Sequence, residues 1–388
     1  MTSSERNAPN ALNATSLGRA RARIERLCRE LPDAITLFAR LNGIIPAVVP
    51  VDGVCGLTLD PATLLHTGGY HEKGVPHSHL LRLLEIEYGE EDVNQFPELV
   101  RSDRTAAGLW QATRRRPHGS ARYRDVYQPV GMGDELRVLL RDQRAVWGAL
   151  ILHRGGDRPP FTVEETAAVE ALVSAVTQGL RRSYLRHDAT VAGTEAPGAA
   201  GLLTFDPDGG LDRITAGGQW CLDQLGGAPS PTAAARISQP LLHMCAKARR
   251  TGEASVRVRG RSGRWLSLVA TRVDKEGRVA VIIQPSHPEH TVGIMMEAYG
   301  LTPREQQVAQ LVIYGMTDTE IAKRLTISTH TVRDHLKKVF DRTGTNGRSQ
   351  LLHILYFAHY RPDIEAGRAM GTSGWFTAAG SDPTQPLR

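Results

Sequence analysis

Cysteine is scarce in this chain: Cys28, Cys55, Cys221 and Cys245 lie far apart in 388 residues, with no CxxC pair. That spacing excludes a disulfide framework and the ligand sets of structural zinc sites, and it leaves buried thiols as the expected state. Long apolar runs are missing too. No stretch approaches the eighteen or more apolar residues of a membrane span, and the first twenty residues, rich in Ser, Asn, Ala and Arg, lack the apolar core of a secretory signal. A cytoplasmic chain with no membrane partner is the expectation. There is no GxxxxGK(S/T) phosphate loop, no GxSxG and no HExxH, which argues against an ATP-driven regulator and against an enzyme. Nothing marks a haem, flavin or phosphoacceptor site, so no cofactor and no metal are expected. Charge of one sign is barely in excess: 47 Lys and Arg against 41 Asp and Glu give +6, which fits a polyanionic partner without proving one.

What is present is ordinary globular material, 41% hydrophobic and 23% charged, in a chain long enough for two to three domains with cores of usual size. Residues 1–18 show no apolar period and read as disordered. Ile24, Leu27, Cys28 and Leu31 then fall at helical spacing until Pro32 interrupts them. Strand-like runs follow at 53–59, 135–140 and 145–153, the last two joined by the turn Asp142-Gln143-Arg144. Thr162, with Glu165 three residues on, starts a long helix whose Val169, Leu172, Val173, Val176, Leu180 and Tyr184 make one stripe suited to pairing with a copy of itself. These elements define a first domain over 19–186.

A linker is expected over 187–200, then a second domain over 201–285. It has a strand at 201–205, the turn Asp206-Pro207-Asp208-Gly209-Gly210, helices near 219–225 and 233–250, and strands at 254–259, 265–273 and 278–284. Residues 286–296 read as the next linker, 297–360 as a helical domain, and 361–388 as a disordered tail. No internal repeat is visible.

The helical domain carries the densest signals. Thr302-Pro303-Arg304-Glu305 supplies a capping hydroxyl, proline at the first helical position and glutamate three residues after the cap; Val308, Leu311 and Val312 give that helix a buried face before Gly315. A second capping box, Thr317-Asp318-Thr319-Glu320, launches a short helix with Ile321, Ala322 and Leu325 inward. After the turn Thr326-Ile327, Ser328 caps a third helix running to about Thr343, where Gly344 stops it. Val332, Leu336, Val339 and Phe340 form its inner face, and Arg333, Asp334, Lys337 and Lys338 lie opposite.

A short helix, a turn and a longer helix with a basic outer face is the geometry that enters a major groove of duplex DNA. Base contacts are expected from Arg333, bidentate to guanine, from Asp334 toward cytosine N4, and from Lys337. Phosphate contacts are expected from Thr331, Lys338, Lys323, Arg324 and Arg348. The bland reading of the same pattern is a capped helical bundle that touches no nucleic acid.

From Leu301 to about Leu355 the chain resembles the LuxR-type helix-turn-helix. The resemblance rests on Leu301-Thr302-Pro303-Arg304-Glu305, Glu320-Ile321-Ala322, Leu325, Ile327-Ser328, Thr331-Val332-Arg333 and His335-Leu336. It implies a four-helix DNA-binding domain, with a fourth helix near 347–357 that serves dimer contacts. Thr343-Gly344-Thr345 departs from the apolar pair usual around that glycine, which bears on how the third helix packs on the fourth. The first domain resembles a GAF domain through Val146-Trp147-Gly148-Ala149-Leu150-Ile151-Leu152, Phe161-Thr162 and the long helix, but lacks the acidic cluster, acidic acceptor and lysine of a phosphorylated receiver. The second resembles a PAS-like fold through Leu203-Thr204-Phe205-Asp206-Pro207-Asp208-Gly209 and its terminal strands. The implied fold is multi-domain: an α+β GAF-like sensor, a smaller α+β PAS-like domain and an all-α C-terminal helix-turn-helix domain.

Specific over non-specific DNA binding needs about 4–10 kcal/mol, more than one small recognition helix supplies. A homodimer on two half-sites is therefore the expectation, with a small-molecule effector and RNA polymerase as further partners. The rival expectation is a polymerase-associated adaptor or sigma-like factor. Three local features are read as ordinary. His71, His77 and His79 lack carboxylate or cysteine partners in sequence; Arg114-Arg115-Arg116 with Arg122 and Arg124 is a solvated basic run; Gln219, Trp220 and Cys221 are core at a helix start.

Overall fold

The computed structural model describes residues 14–30, 33–185, 200–226 and 238–356. The chain divides into two compact units, Met1–Ser183 and Tyr184–Arg388. Among the described residues no helix is long and apolar enough to cross a membrane.

The first unit contains α1 (Ala14–Arg29), α2 (Ala34–Asn42), β1 (Gly53–Leu59), β2 (His66–Glu72), α3 (His77–Gly89), α4 (Phe96–Arg101), β3 (Ala106–Gly108), α5 (Leu109–Ala112), β4 (Met132–Arg141), β5 (Val146–Gly155) and α6 (Val163–Ser183). Its antiparallel sheet has the order β2-β1-β5-β4-β3. The β4–β5 hairpin closes where Asp142 demands it. Asp142 Oδ1 accepts from the backbone N–H groups of Arg144 (3.0 Å) and Ala145 (3.1 Å), and Oδ2 accepts from the indole of the buried Trp147 (3.1 Å). The start of α6 is a capping box: Thr162 Oγ1 accepts from Glu165 N, and Glu165 Oε2 from Thr162 N. Val169, Leu172, Val173, Val176 and Leu180 are buried, as their stripe requires. Helix α1 begins at Ala14, inside the span expected to be disordered. Leu17 and the buried Ala20 extend the Ile24 stripe by two turns, a signal that small side chains and interleaved arginines obscure.

The first unit also holds a closed network of buried charge. Arg122 (0% exposed) meets Glu135 through Nη2 at 3.1 Å and has Asp92 and Glu87 at 3.9 and 4.0 Å from Nη1. Arg137 meets Glu135 at 3.0 Å and Glu87 at 2.8 Å, and lies over the Phe96 ring at 4.9 Å. Tyr127 donates to the remaining oxygen of Glu135. Arg122 is thus no solvated residue, although Arg114, Arg115, Arg116 and Arg124 of the same run are exposed. The expectation of a solvated run fails at Arg122 because its partners come from β4, α3 and the loop after α3, none of them adjacent in sequence. His71, His77 and His79 do not meet: among the described residues no three His, Cys, Asp or Glu side chains gather as metal ligands.

The second unit opens with β6 (Gly201–Phe205), β7 (Leu211–Ile214), α7 (Ala216–Leu225), α8 (Gln239–Thr251), β8 (Glu253–Arg259), β9 (Trp265–Arg272) and β10 (Val279–Pro285). The sheet order β7-β6-β10-β9-β8 repeats that of the first sheet strand for strand, with no repeat in the sequence. Strand β7 lies outside the expected elements; its Leu211-Asp212-Arg213-Ile214 is too short and too polar to declare itself. Most of the 187–200 linker and residues 227–237, which include the expected start of α8, lie outside the described residues, as does the 361–388 tail.

The chain ends, within the described residues, in α9 (Pro288–Ala298), α10 (Pro303–Ile313), α11 (Asp318–Leu325), α12 (Thr329–Thr343) and α13 (Arg348–Leu355). Helix α9 occupies the stretch expected to be a linker over 286–296. Met295 and Met296 are buried in one core with Leu301, Val308, Ile321, Val332, Val339 and Leu351, and Val292 and Tyr299 pack against it. The spacing Val292, Met295, Met296, Tyr299 is helical, but Gly293 and the flanking histidines mask it.

Candidate nucleic-acid interface

Reciprocal caps set the angles of the helical domain. Thr302 Oγ1 accepts from Glu305 N (3.2 Å) while Glu305 Oε2 accepts from Thr302 N (2.7 Å). Thr317 and Glu320 repeat the pattern at 3.3 and 2.7 Å. Glu305 is buried, and its charge is met by Arg342 of α12 at 3.3 Å, which also donates to Gly300 O at 2.7 Å. Arg304 of α10 donates to Leu325 O at 2.8 Å, covering the carbonyl end of α11. Arg304 and Arg342 bind the helices together, and neither role has a sequence signal because the partners are on other helices.

The turn into α12 rests on Thr326, whose φ of 54° and ψ of 50° are left-handed. That conformation costs an L-residue about 1–2 kcal/mol, and a β-branched side chain sits there least well. Thr326→Asn, which tolerates the region, is expected to stabilise the domain by about 1 kcal/mol. The check is a rise in denaturant midpoint at unchanged slope; a fall would contradict the assigned strain.

Ser328 Oγ accepts from Thr331 N (3.0 Å) to start α12, and Gly344 at φ 67° ends it. Fifteen residues make a rod about 22 Å long. Val332, Leu336 and Val339 are buried, while Arg333, Asp334, Lys337 and Lys338 are exposed along the other side. At the far end, the departure at Thr343-Gly344-Thr345 resolves as a hydroxyl pair. Both threonines are buried, their Oγ1 atoms lie 2.9 Å apart, and Thr343 also donates to Val339 O at 2.8 Å. The polar atoms satisfy each other, so the junction of α12 and α13 closes without the apolar pair.

The other expected contact residues are placed as follows. Lys323 and Arg324 are exposed in the last turn of α11, where a cation also suits the helix dipole. The Thr331 hydroxyl lies 2.9 Å from Ser328 Oγ, and Asp334 faces His330 at 3.8 Å. Arg348 is engaged inside the fold: it donates to Met316 O at 2.5 Å and to Asp318 Oδ1 at 2.6 Å. Arg333 Nε approaches Asp318 Oδ2 at 3.2 Å. Partial burial would raise the Asp318 carboxyl, but the hydrogen bonds and charges of Arg348 and Arg333 outweigh it and hold the group below its ordinary value. The role of Asp318 has no sequence signal beyond its place in the second capping box.

Residues 300–355 match the family of bacterial regulatory proteins described as the luxR family. The spore germination protein GerE of Bacillus subtilis is 44% identical over 50 residues, 13% of this chain and 68% of GerE. A response regulator of Synechocystis sp., Rre1, is 43% identical over 53 residues, 14% of this chain, which spans 23% of the length of that protein. Among solved structures, a GAF domain/HD domain protein from Geobacter sulfurreducens aligns with 44% of this chain and 99% of its own at 18% identity, with a TM-score of 0.28. The capped helices and the matched segment define a LuxR-type helix-turn-helix. The chain belongs to the luxR family of bacterial regulatory proteins.

Proposed function

We propose that the protein is a cytoplasmic transcription regulator, not an enzyme, that reads operator DNA as a homodimer, with α12 in the major groove and the two α+β domains acting as sensors. The observation that carries this reading is the division of α12 into a buried apolar face and an exposed face bearing Arg333, Asp334, Lys337 and Lys338. Arg333, Asp334 and Lys337 read base edges, and Thr331, Lys338, Lys323 and Arg324 grip phosphates. Arg348, spent on Asp318 and Met316, contributes to the phosphate grip only as far as those bonds allow. Helix α13 is the surface for dimer contacts; the apolar stripe of α6 is buried within its own unit and is not free to pair with a copy. A small-molecule effector acts by favouring one dimer geometry, and a full switch requires a difference of about 5 kcal/mol between the two arrangements.

The test is selection of bound sequences from random duplex DNA by the full-length protein, at physiological salt and without polymerase. A two-fold-related motif with half-sites about 34 Å apart is the expected result. Recovery of a motif only when RNA polymerase is added would overturn it in favour of an adaptor. Lys338→Ala is expected to weaken binding to all duplexes alike and to lower the slope of log affinity against log salt by about one. A change confined to one base pair would remove Lys338 from the phosphate contacts.

A further inference from the structure

Asp318 touches both the helix that faces DNA and the helix behind it. It is the first residue of α11, and its two oxygens are divided: Oδ1 takes Arg348 of α13 at 2.6 Å, and Oδ2 takes Arg333 of α12 at 3.2 Å. Arg348 is itself fixed by Met316 O at 2.5 Å, so the carboxylate is tethered from behind. Arg333 remains 70% exposed, and the atom it gives to Asp318 is Nε. Among the described residues, neither of its Nη groups has a hydrogen-bond partner.

We propose that Asp318 is a positioning residue for base reading: it holds Arg333 by Nε and leaves the two Nη groups as the fork that guanine O6 and N7 accept. The proposal rests on the base-reading role given to Arg333 above. An arginine carries five N–H donors in one plane. With Nε–H committed to a charged acceptor, the plane of the guanidinium is set and the end-on pair is the one left for DNA. A free arginine samples many rotamers and loses that freedom on binding, whereas one already held loses less. The blander account gives Asp318 only a helix-start charge and two surface ion pairs, which contribute little and select no base.

Full-length wild type, Asp318→Asn, Asp318→Ala, Arg333→Ala and Asp318→Asn with Arg333→Ala separate the two accounts. Each is titrated against the selected duplex, against the same duplex with every base pair substituted in turn, and against random duplex. Asp318→Asn is expected to reduce discrimination about tenfold at the one base pair whose discrimination Arg333→Ala also removes. No further loss is expected in the double variant, and affinity for random duplex should rise because a negative charge near the phosphates is gone. Asp318→Ala is read in the same way, so an early-melting Asn variant does not end the test. Retained discrimination in both Asp318 variants, or an equal loss in the presence and absence of Arg333, would overturn the proposal while leaving base reading intact. Unchanged discrimination at every base pair in Arg333→Ala would overturn base reading itself, and the proposal with it.

Discussion

Glu135→Ala is expected to destabilise the first unit by about 3–5 kcal/mol, because it leaves two buried guanidiniums without their shared carboxylate. Arg122 and Arg137 both converge on Glu135 Oε1, at 3.1 and 3.0 Å, and neither is reached by solvent to any useful degree. Glu87 still faces both arginines and Asp92 still lies 3.9 Å from Arg122 after the substitution, but Arg122 loses its one carboxylate closer than 3.9 Å and Arg137 keeps Glu87 alone. Calorimetry should show the transition of this unit lowered by roughly 10 °C. Replacing Glu135, Arg122 and Arg137 together by Leu, Met and Met is not expected to recover the loss, because it leaves the buried carboxylates of Glu87 and Asp92 without their cations. A Glu135→Ala loss under about 1 kcal/mol, the range of exposed pairs, would mean that water reaches the site. The same network fixes a pH dependence. Burial alone would raise Glu135, but Arg122 and Arg137 outweigh it and hold the carboxyl at about 2, below its ordinary 4.5. A carboxyl depressed in the fold stabilises it fully above the unfolded value, and that contribution disappears as pH falls from about 4.5 toward 2.

Arg333→Ala is expected to remove about 1–3 kcal/mol of discrimination at one base pair in each half-site. That is roughly ten- to hundredfold per half-site, and a dimer reading two of them loses twice the free energy. Affinity for random duplex should fall far less, because one charge among several contributes only its share of counterion release. The comparison with Lys338→Ala is the decisive one: selected motifs should blur at one position for Arg333→Ala and stay sharp but weak for Lys338→Ala. Equal losses on every sequence from both substitutions would make α12 a phosphate-binding helix, and specificity would then have to come from DNA shape.

Helices α10, α11 and α12 are legible in the sequence because the forces that start and stop them are local. A threonine and a glutamate three residues apart, or a glycine after the last apolar position, are visible without knowing what packs nearby. The same locality reveals the β4–β5 hairpin through Asp142. Strand β2, His66–Glu72, is not legible: two glycines, two histidines and a glutamate hide a strand whose register is set by β1, a pairing across a turn rather than a pattern within itself. Helix α9 is hidden because histidine, glycine and proline obscure a stripe that the buried methionines complete. The outer face of α12 can be named residue by residue from its period. What cannot be read is that Arg333 and Arg348 share Asp318, 15 and 30 residues away, or that Arg122 is buried. Those facts depend on which elements meet, and period and capping do not encode it.

Both sheets place the strand that enters the domain beside the strand that leaves it. In the first, Gly53 at the start of β1 pairs with His153 near the end of β5; in the second, Gly201 at the start of β6 pairs with Ile283 near the end of β10. Entry and exit therefore emerge at the same end of an antiparallel central pair. Tension pulling those two ends apart loads the pair as a zipper, so its hydrogen bonds break in succession instead of sharing the force in shear. The β1–β5 and β6–β10 pairs thus each present their two open ends to the same side of their sheet.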